Sequence, residues 1–314
     1  MKRLSVEAFG RARRFLLGAA RPLDRALFQH QFEGAPTEGV LEALAPYANP
    51  DGGFGQALEP DVRTPSSSAL ATGIALGILQ EVGCPAHHPL VRGALAYLRC
   101  SYQEGPGVWP ALPPDANLFP HAPWWHDEAG SLARTFDGFL VIPRAALAAS
   151  LFHYAQGKPD AWLAALAERT VADIESVEPF GVGGGDDLVY TLRLAQTDPA
   201  PPALRARLLR RIRAVVPVAV SRDPQTWRTY CIAPLKVAPT PQSAVADLLA
   251  DILPFNLDYL VEQQAADGAW DPTWDWGSFY PEVWPEARQE WRGHLTLANL
   301  LSLRAWGRLA ALPR

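Results

Sequence analysis

One kind of turn recurs along this chain, and it limits the possible folds more than any other feature of the sequence. The regular copies end one helical stretch, place a polar residue and a glycine before an aromatic ring, and lead into the next helical stretch. The copies read Asp-Gly-Gly-Phe at 51–54, Asp-Gly-Ala-Trp at 267–270 and, less regularly, Gln-Glu-Gly-Pro-Gly-Val-Trp at 103–109 and Phe-Gly-Val-Gly-Gly-Gly-Asp-Asp at 180–187. A turn repeated between helices is typical of architectures built from stacked helical pairs.

Helical periodicity covers most of the remaining sequence. Apolar residues recur at three- and four-residue spacing in twelve stretches, and this spacing predicts a helix for each of them. The predicted helices span 3–19, 22–32, 38–46, 67–82, 88–101, 139–157, 160–177, 186–196, 202–216, 241–251, 254–265 and 290–311. An alternating strand pattern is nearly absent, and the one β-like run is 139–142. We therefore predict an all-α fold.

The repeated turn resembles the glutamine–tryptophan repeat of the terpenoid-cyclase and protein-prenyltransferase superfamily. The match is best at 259–270, where two glutamines lead into the Asp-Gly-Ala-Trp turn, good at 51–55 and degenerate at 103–109. The stretch 291–301 resembles the helix that follows such a repeat. The chain also resembles bacterial proteins of about this length that are assigned to the superfamily.

The resemblance implies an α/α toroid, in which paired helices form two concentric rings around a central cavity. About six helical hairpins account for the twelve predicted helices. We therefore expect residues 1–314 to form a single toroid domain, with the long aromatic loops gathered over one end of the cavity.

The residues of the repeat have a structural explanation. Glycine permits the tight turn, the aromatic ring fills the gap between successive helices, and Gln or Asp bonds free amide groups at a helix start. We predict a mainly structural role for Asp51, Gly52, Phe54, Gln264, Asp267, Gly268 and Trp270.

The activities known in the superfamily each depend on a motif that this chain lacks. The Asp-x-Asp-Asp motif that protonates an alkene is absent, and the nearest run, 184–187, lacks its first Asp. The run 186–190 lacks the third carboxylate of the magnesium-binding Asp-Asp-x-x-Asp motif. Zinc-binding prenyltransferases pair a cysteine with an acid two residues earlier, and Cys84, Cys100 and Cys231 have no such acid. We therefore predict no metal site and no cofactor, and whether the protein is an enzyme stays open.

Charge and cysteine content bear on partners and location. The net charge is −5, from 28 basic and 33 acidic residues, whereas a dedicated nucleic-acid-binding protein normally has a basic surplus. The three cysteines form no Cys-x-x-Cys pair, as expected of a protein in the reducing cytoplasm. No apolar run reaches the roughly 18 residues of a membrane span. Residues 1–30 fit a basic helix on a membrane surface, but an ordinary amphipathic first helix explains them better.

The aromatic residues concentrate in long loops. The chain has 11 tryptophans, and the segments 47–65, 102–130, 178–186 and 266–289 are rich in glycine, proline, aspartate and aromatic residues. Loops of this length without secondary structure are uncommon unless they have a function. We therefore expect a site for a small-molecule ligand in these loops.

The loop after the first repeated turn contains two carboxylates close to an arginine. Glu59, Asp61 and Arg63 alternate along the chain, and a carboxyl group beside a tuning partner is typical of acid–base chemistry. The alternative is a loop tied to the next helix by salt bridges and an Asp-type turn. Asp61 and Glu59 are the catalytic candidates here, and Arg63 is a ligand-binding candidate.

A second cluster combines histidine, tryptophan and acid within eight residues. The run 121–128 reads His-Ala-Pro-Trp-Trp-His-Asp-Glu. We interpret this run as part of a pocket wall with a titratable histidine. A metal site of His121, His126 and Asp127 or Glu128 fits less well, because two histidines five residues apart do not lie on the same face of a helix. Packing is the remaining alternative. The candidates are His121 and His126 for catalysis and Trp124 and Trp125 for ligand binding.

The richest aromatic stretch follows the Asp-Gly-Ala-Trp turn. Between 270 and 291, seven aromatic residues are interleaved with acids. Aromatic faces hold a developing carbocation by cation–π attraction, worth about 0.5–2 kcal/mol per ring, and they also stack on sugars or simply pack. The ligand-binding candidates are Trp274, Trp276 and Tyr280, together with Phe54 of the first turn.

Two adjacent carboxylates lie at a predicted helix start. Asp186 and Asp187 follow three glycines, and the helix dipole favours ionised carboxylates at this end. A capping role therefore explains them better than proton donation, and Asp187 is kept as a catalytic candidate.

These residues lead to one preferred function and two alternatives. The preferred one is a toroid of the prenyltransferase and terpenoid-cyclase type, with an isoprenoid-like ligand in a cavity lined by tryptophan. Asp61 or Glu59 is then the acid, and His121 or His126 is its polar partner. The first alternative is a carbohydrate-active α/α-barrel enzyme whose paired carboxylates come from the candidate acids and Asp127. The two carboxylates would lie about 5–5.5 Å apart in an enzyme that retains the anomeric configuration and about 6.5–9.5 Å apart in one that inverts it. The second alternative is a non-catalytic ligand-binding toroid.

Overall fold

The structure is a computed structural model that describes residues 1–181 and 185–310. Its α-helices are α1 (Val6–Gly18), α2 (Pro22–Glu33), α3 (Thr37–Leu44), α4 (Ala69–Glu81), α5 (Pro89–Ser101), α6 (Ser131–Thr135), α7 (Arg144–Ala155), α8 (Ala161–Ser176), α9 (Asp186–Ala195), α10 (Pro202–Ala219), α11 (Pro234–Val237), α12 (Leu253–Glu262) and α13 (Trp284–Ala305). Short 3-10 helices occupy Ala45–Tyr47, Ala116–Leu118, Pro123–Trp125, Asp137–Phe139, Thr226–Arg228 and Ala246–Leu249. Strand pairing within the described residues is limited to isolated bridges, so the all-α prediction is confirmed.

Most of the predicted helices form close to their predicted bounds. The short helices α6 and α11 were not predicted, because four or five residues are too few to show a helical period. Helix α13 begins at Trp284, before the predicted start at 290, and a proline in its first turn is compatible with this start. The β-like run 139–142, which the predicted helix 139–157 includes, is the end of a 3-10 helix followed by a turn, so α7 begins only at Arg144.

The prediction of a helix at 241–251 is also wrong. This stretch forms turns and the 3-10 helix Ala246–Leu249, whose hydrogen bonds span three residues rather than four. The guanidinium of Arg213 donates to the Ala244 carbonyl at 2.8 Å and to the Asp247 carboxylate at 2.8 Å. An α-helix uses each carbonyl for the amide four residues later, so this long-range contact occupies an acceptor that a helix would need.

The contacts divide the chain into two compact units, and each holds part of the helical core. The first unit comprises Met1–Val40, Gly181–Gly185 and Arg213–Arg314, and in its described part α13 packs on α1 and α2 while α11 packs on α12. The second unit comprises Leu41–Phe180 and Asp186–Ile212, and in it α4 packs on α5 and α7 while α7 packs on α8 and α9.

The two clearest copies of the repeated turn form equivalent hydrogen bonds. Asp51 Oδ1 accepts the amide of the residue two positions later at 2.9 Å, and Asp267 Oδ1 does the same at 3.2 Å. The amide of the following aromatic residue donates to a threonine hydroxyl, at 3.0 Å in the first copy and 3.1 Å in the second. Gly52 and Gly268 have left-handed φ values of 88° and 99°, which disfavour any residue with a side chain. The same local chemistry thus builds both turns.

The tryptophans of two turns bond back to the helix that precedes them. The indole N–H of Trp109 donates to the carbonyl of Leu98 in α5 at 2.7 Å, and that of Trp270 donates to Leu260 in α12 at 2.8 Å. Both indoles are buried. Each ring therefore fills space beside a helix end and satisfies one of its carbonyls. The fourth copy, 180–187, includes 182–184, which lie outside the described residues.

One segment has the length and composition of a membrane span. Asp137–Ala155 has a mean hydropathy of 1.3, and 72% of its most apolar window is buried inside the protein. Its helical part, α7, packs on α4, α8 and α9. Such burial is typical of the central helix of a folded core.

Candidate functional site

Two of the candidate clusters lie side by side in the second unit. The amide of Arg63 donates to the Pro120 carbonyl at 3.0 Å, the amide of Ala122 donates to the Asp61 carbonyl at 2.8 Å, and Val62 pairs with His121. The loop that contains the paired carboxylates therefore runs against the segment that contains the histidines. Asp61 and His121 are both only 3% exposed.

The two candidate histidines form a hydrogen-bonded pair. His121 Nδ1 lies 2.6 Å from the Phe119 carbonyl, which can only accept, so this nitrogen carries a hydrogen. His121 Nε2 lies 2.9 Å from His126 Nδ1, and the two rings are within 11° of parallel. One proton therefore sits between the two imidazoles. His121 is buried and His126 is exposed, so the pair can carry a proton between solvent and the interior.

The histidine pair does not fit a metal ion between its rings, because the two nitrogens already bond directly. Among residues 1–181 and 185–310, no group of three or more histidine, cysteine or acidic side chains is arranged to hold a metal.

The remaining candidate acids lie near the start of α9. Burial raises the pKa of Tyr190 in this helix, and the carboxylates of Asp186 and Glu59 raise it further, which places both acids near its phenol. Asp187 Oδ1 accepts the amide of Leu188 at 2.7 Å. This bond favours the capping interpretation of Asp187, whose catalytic role stays a prediction.

The aromatic candidates of the second unit are mostly packed. Phe54 is fully buried, and Trp125 stacks on Phe136 with ring centroids 5.1 Å apart. Trp124, its neighbour in the same 3-10 helix, is 39% exposed. Of these three candidates, only Trp124 is exposed to solvent.

In the first unit, one group of aromatic candidates belongs to the core. Trp276 is fully buried and packs on Trp284 at 5.1 Å and on the half-buried Tyr280 at 6.1 Å between ring centroids. Edge-to-face and tilted contacts of this kind stabilise a core through the area they bury. The packing interpretation therefore accounts for these rings.

A second aromatic group in the first unit is accessible. Trp274 meets Tyr230 at 6.0 Å and Trp291 at 5.0 Å, and Trp291 meets His294 at 5.6 Å, all edge to face. We call these four residues the aromatic row. Each of them keeps part of its surface exposed to solvent. The indole N–H of Trp274 is buried and makes no hydrogen bond within the described residues, and such an unsatisfied donor calls for an explanation.

Sequence reasoning missed two members of the aromatic row. His294 follows Trp291 by three residues on the same face of α13, and this helical spacing could have indicated it. Tyr230 precedes α11 in a segment without a periodic pattern, so no sequence signal marked it.

The surroundings of His294 shift its pKa. Its side chain is exposed to solvent, yet burial lowers the pKa of its imidazole; the nearby Asp24 carboxylate raises this pKa and Arg21 lowers it.

The lowered pKa of His294 predicts a pH dependence of stability. The unfolded imidazole takes up a proton near pH 6.5 and the folded one only at lower pH, so stability falls as the pH drops below about 6.5. We expect the H294Q variant to lose less of its free energy of unfolding than the wild type between pH 7.5 and pH 5. Urea titrations of both proteins at the two pH values measure this difference. Equal losses in the two proteins would show that His294 does not titrate as argued.

No family model matches the chain, and no curated protein has significant sequence similarity to it.

Proposed function

We propose that this protein is an α/α toroid of the terpenoid-cyclase and prenyltransferase type that binds an apolar, isoprenoid-like ligand. The aromatic row is the observation that carries the proposal, because it offers four adjoining, half-exposed rings beside one unsatisfied indole N–H. Aromatic faces suit both an unsaturated hydrocarbon and a positive charge that develops on it.

The toroid is supported by the contacts of the chain ends within the first unit. Helix α1 packs on α13, and Leu4 pairs with Leu309 in parallel. The repeated turn at Gly268 lies against the backbone of α1. The equivalent Gly52, which precedes α4, lies against Gly93 of α5, the next helix along the chain. Gly268 precedes α13, so in the same pattern α1 takes the place of the helix that follows α13. A closed ring of helices requires this arrangement.

A catalytic role is the second part of the proposal. Asp61 or Glu59 serves as the acid, and the His121–His126 pair supplies or removes the proton. A buried histidine bonded to an exposed one is a suitable carrier, because it connects the interior with solvent without a mobile water chain. The ligand-binding proposal stands independently of this part.

The carbohydrate-active enzyme and the non-catalytic binder are alternatives that one panel of ligands separates. Sugars stack on the same aromatic faces, so binding of oligosaccharides instead of isoprenoids would favour the first. Isoprenoid binding without any conversion of the bound isoprenoid would favour the second. We also propose the cytoplasm as the location of the protein, with no nucleic-acid partner.

Replacing Trp274 by alanine is expected to weaken isoprenoid binding at least tenfold, which corresponds to about 1.4 kcal/mol. Native mass spectrometry and thermal shift with farnesol, geraniol and a set of maltooligosaccharides measure binding. The matched control is W162A, because Trp162 is also a half-buried indole in edge contact with aromatic neighbours. Absence of any isoprenoid binding by the wild type, or an equal loss in both variants, would contradict the proposal.

A further inference from the structure

A second polar feature lies in the second unit, where α4, α7 and α9 meet. Arg193 of α9 donates from Nη2 to Gln80 Oε1 of α4 at 2.6 Å and to Ser150 Oγ of α7 at 3.0 Å. Both acceptors are neutral. The guanidinium therefore joins three helices without a negative partner among them.

The positive charge of Arg193 is not balanced by a carboxylate in the described residues. Its electrostatic neighbours are the phenols of Tyr190 and Tyr154 and the imidazole of His153. Burial lowers the pKa of Arg193, although the two phenols oppose this effect. Buried arginines are normally paired, since an unpaired buried charge is costly.

Arg144 is a structural arginine in the same unit, and its charge has a carboxylate partner. Its side chain is fully buried, it forms an ion pair with Asp173, and it donates to the Gly107 carbonyl at 2.8 Å. Arg193 is half-buried at the junction of three helices, and it forms no ion pair within the described residues.

Arg193 keeps hydrogen-bonding capacity for a ligand. Both of its hydrogen bonds start at Nη2, whereas Nε and Nη1 make no hydrogen bond within the described residues and are not fully buried. A Cβ atom built on Gly77 of α4 would lie 3.1 Å from Nη1 of Arg193. The absence of a side chain at this position of α4 therefore makes space for the guanidinium. The hydroxyl of Tyr154, in the field of the same charge, is buried and makes no hydrogen bond within the described residues.

We propose that Arg193 is the centre of a binding site for a small oxyanion, a carboxylate or a phosphate group, at the junction of α4, α7 and α9. Two guanidinium N–H groups remain for the oxygens, which is the geometry in which arginine binds such groups. Gln80 and Ser150 hold the third nitrogen and so fix the orientation of the planar fork. The site belongs to one unit, and it does not depend on the aromatic row or on isoprenoid binding.

Titration calorimetry of the wild-type protein with inorganic phosphate and with succinate, at constant ionic strength set by sodium chloride, tests this site. We expect saturable binding of at least one of the two anions, and the stronger of them identifies the oxyanion class. In R193Q, which keeps hydrogen-bonding capacity but not charge, we expect at least a tenfold weaker Kd. The matched control R222Q removes an exposed arginine paired with Asp251 and should retain wild-type binding.

A second variant keeps the test decisive if R193Q does not fold. G77A adds a methyl group next to Nη1 in the interior of α4, where alanine is a better helix former than glycine. We expect it to fold and to bind the anion several-fold more weakly. No saturable binding of either anion by the wild type, or wild-type affinity in R193Q or in G77A, would overturn the proposal.

Discussion

Replacing Gly268 by alanine is expected to lower the free energy of unfolding by about 3 kcal/mol or more. The residue has a φ of 99°, and a Cβ atom there would lie 2.3 Å from the carbonyl carbon of Arg11 and 2.4 Å from the amide nitrogen of Ala12. Both atoms are backbone of α1, so relief requires a shift of the turn or of the helix. The measurement is urea unfolding of the variant and the wild type.

The matched control for this substitution is G34A. Gly34 also has a left-handed φ, of 70°, but nothing lies within 4 Å of a Cβ atom built on it. Alanine at this position costs only the conformational strain, about 1–2 kcal/mol. Equal losses of the free energy of unfolding in G268A and G34A would contradict the claim that the repeated turn at Gly268 packs closely on the backbone of α1.

Replacing Trp109 by alanine is expected to cost about 3–5 kcal/mol of the free energy of unfolding. The indole is fully buried, bonds to the Leu98 carbonyl, and contacts the rings of Tyr102 at 4.7 Å and Trp162 at 6.2 Å. The substitution leaves a cavity and an unsatisfied carbonyl at the end of α5. Thermal or urea unfolding measures the loss.

The comparison for Trp109 is W124A in the same unit. Trp124 is 39% exposed, so its removal should change the free energy of unfolding by no more than about 1 kcal/mol. Similar losses of the free energy of unfolding in W109A and W124A would contradict the claim that buried tryptophans stabilise the fold more than exposed ones do.

The repeated turn was predictable because its chemistry is local. An aspartate that bonds an amide two residues later, a glycine with positive φ and a large ring need only five or six consecutive residues to be recognised. The long helices were predictable for the same reason, since their period is visible within one segment. In the stretch 241–251 the apolar residues have a helical spacing, but Arg213 from another part of the chain binds its backbone. A prediction that uses only the local sequence cannot include that partner.

The site was less predictable, because it depends on contacts between distant segments and on burial. Nothing in the sequence shows that the Asp61 loop pairs with the His121 segment, because two irregular loops have no register to read. Trp274 and Trp276 are two residues apart in one loop, and only their contacts distinguish an accessible ring from a core ring. Arg193 lies on a correctly predicted helix, yet its unbalanced charge appears only when the neighbouring helices are in place.

The central claim is that the aromatic row binds the ligand, and photolabelling tests it most directly. A farnesol analogue with a diazirine on its hydrocarbon chain is irradiated with the full-length protein, and the labelled peptides are mapped by mass spectrometry. We predict labels on the segment that contains Trp274 and on α13 near Trp291 and His294, with loss of these labels when unmodified farnesol is in excess. Labels confined to other segments, or labels that excess farnesol does not reduce, would contradict the claim.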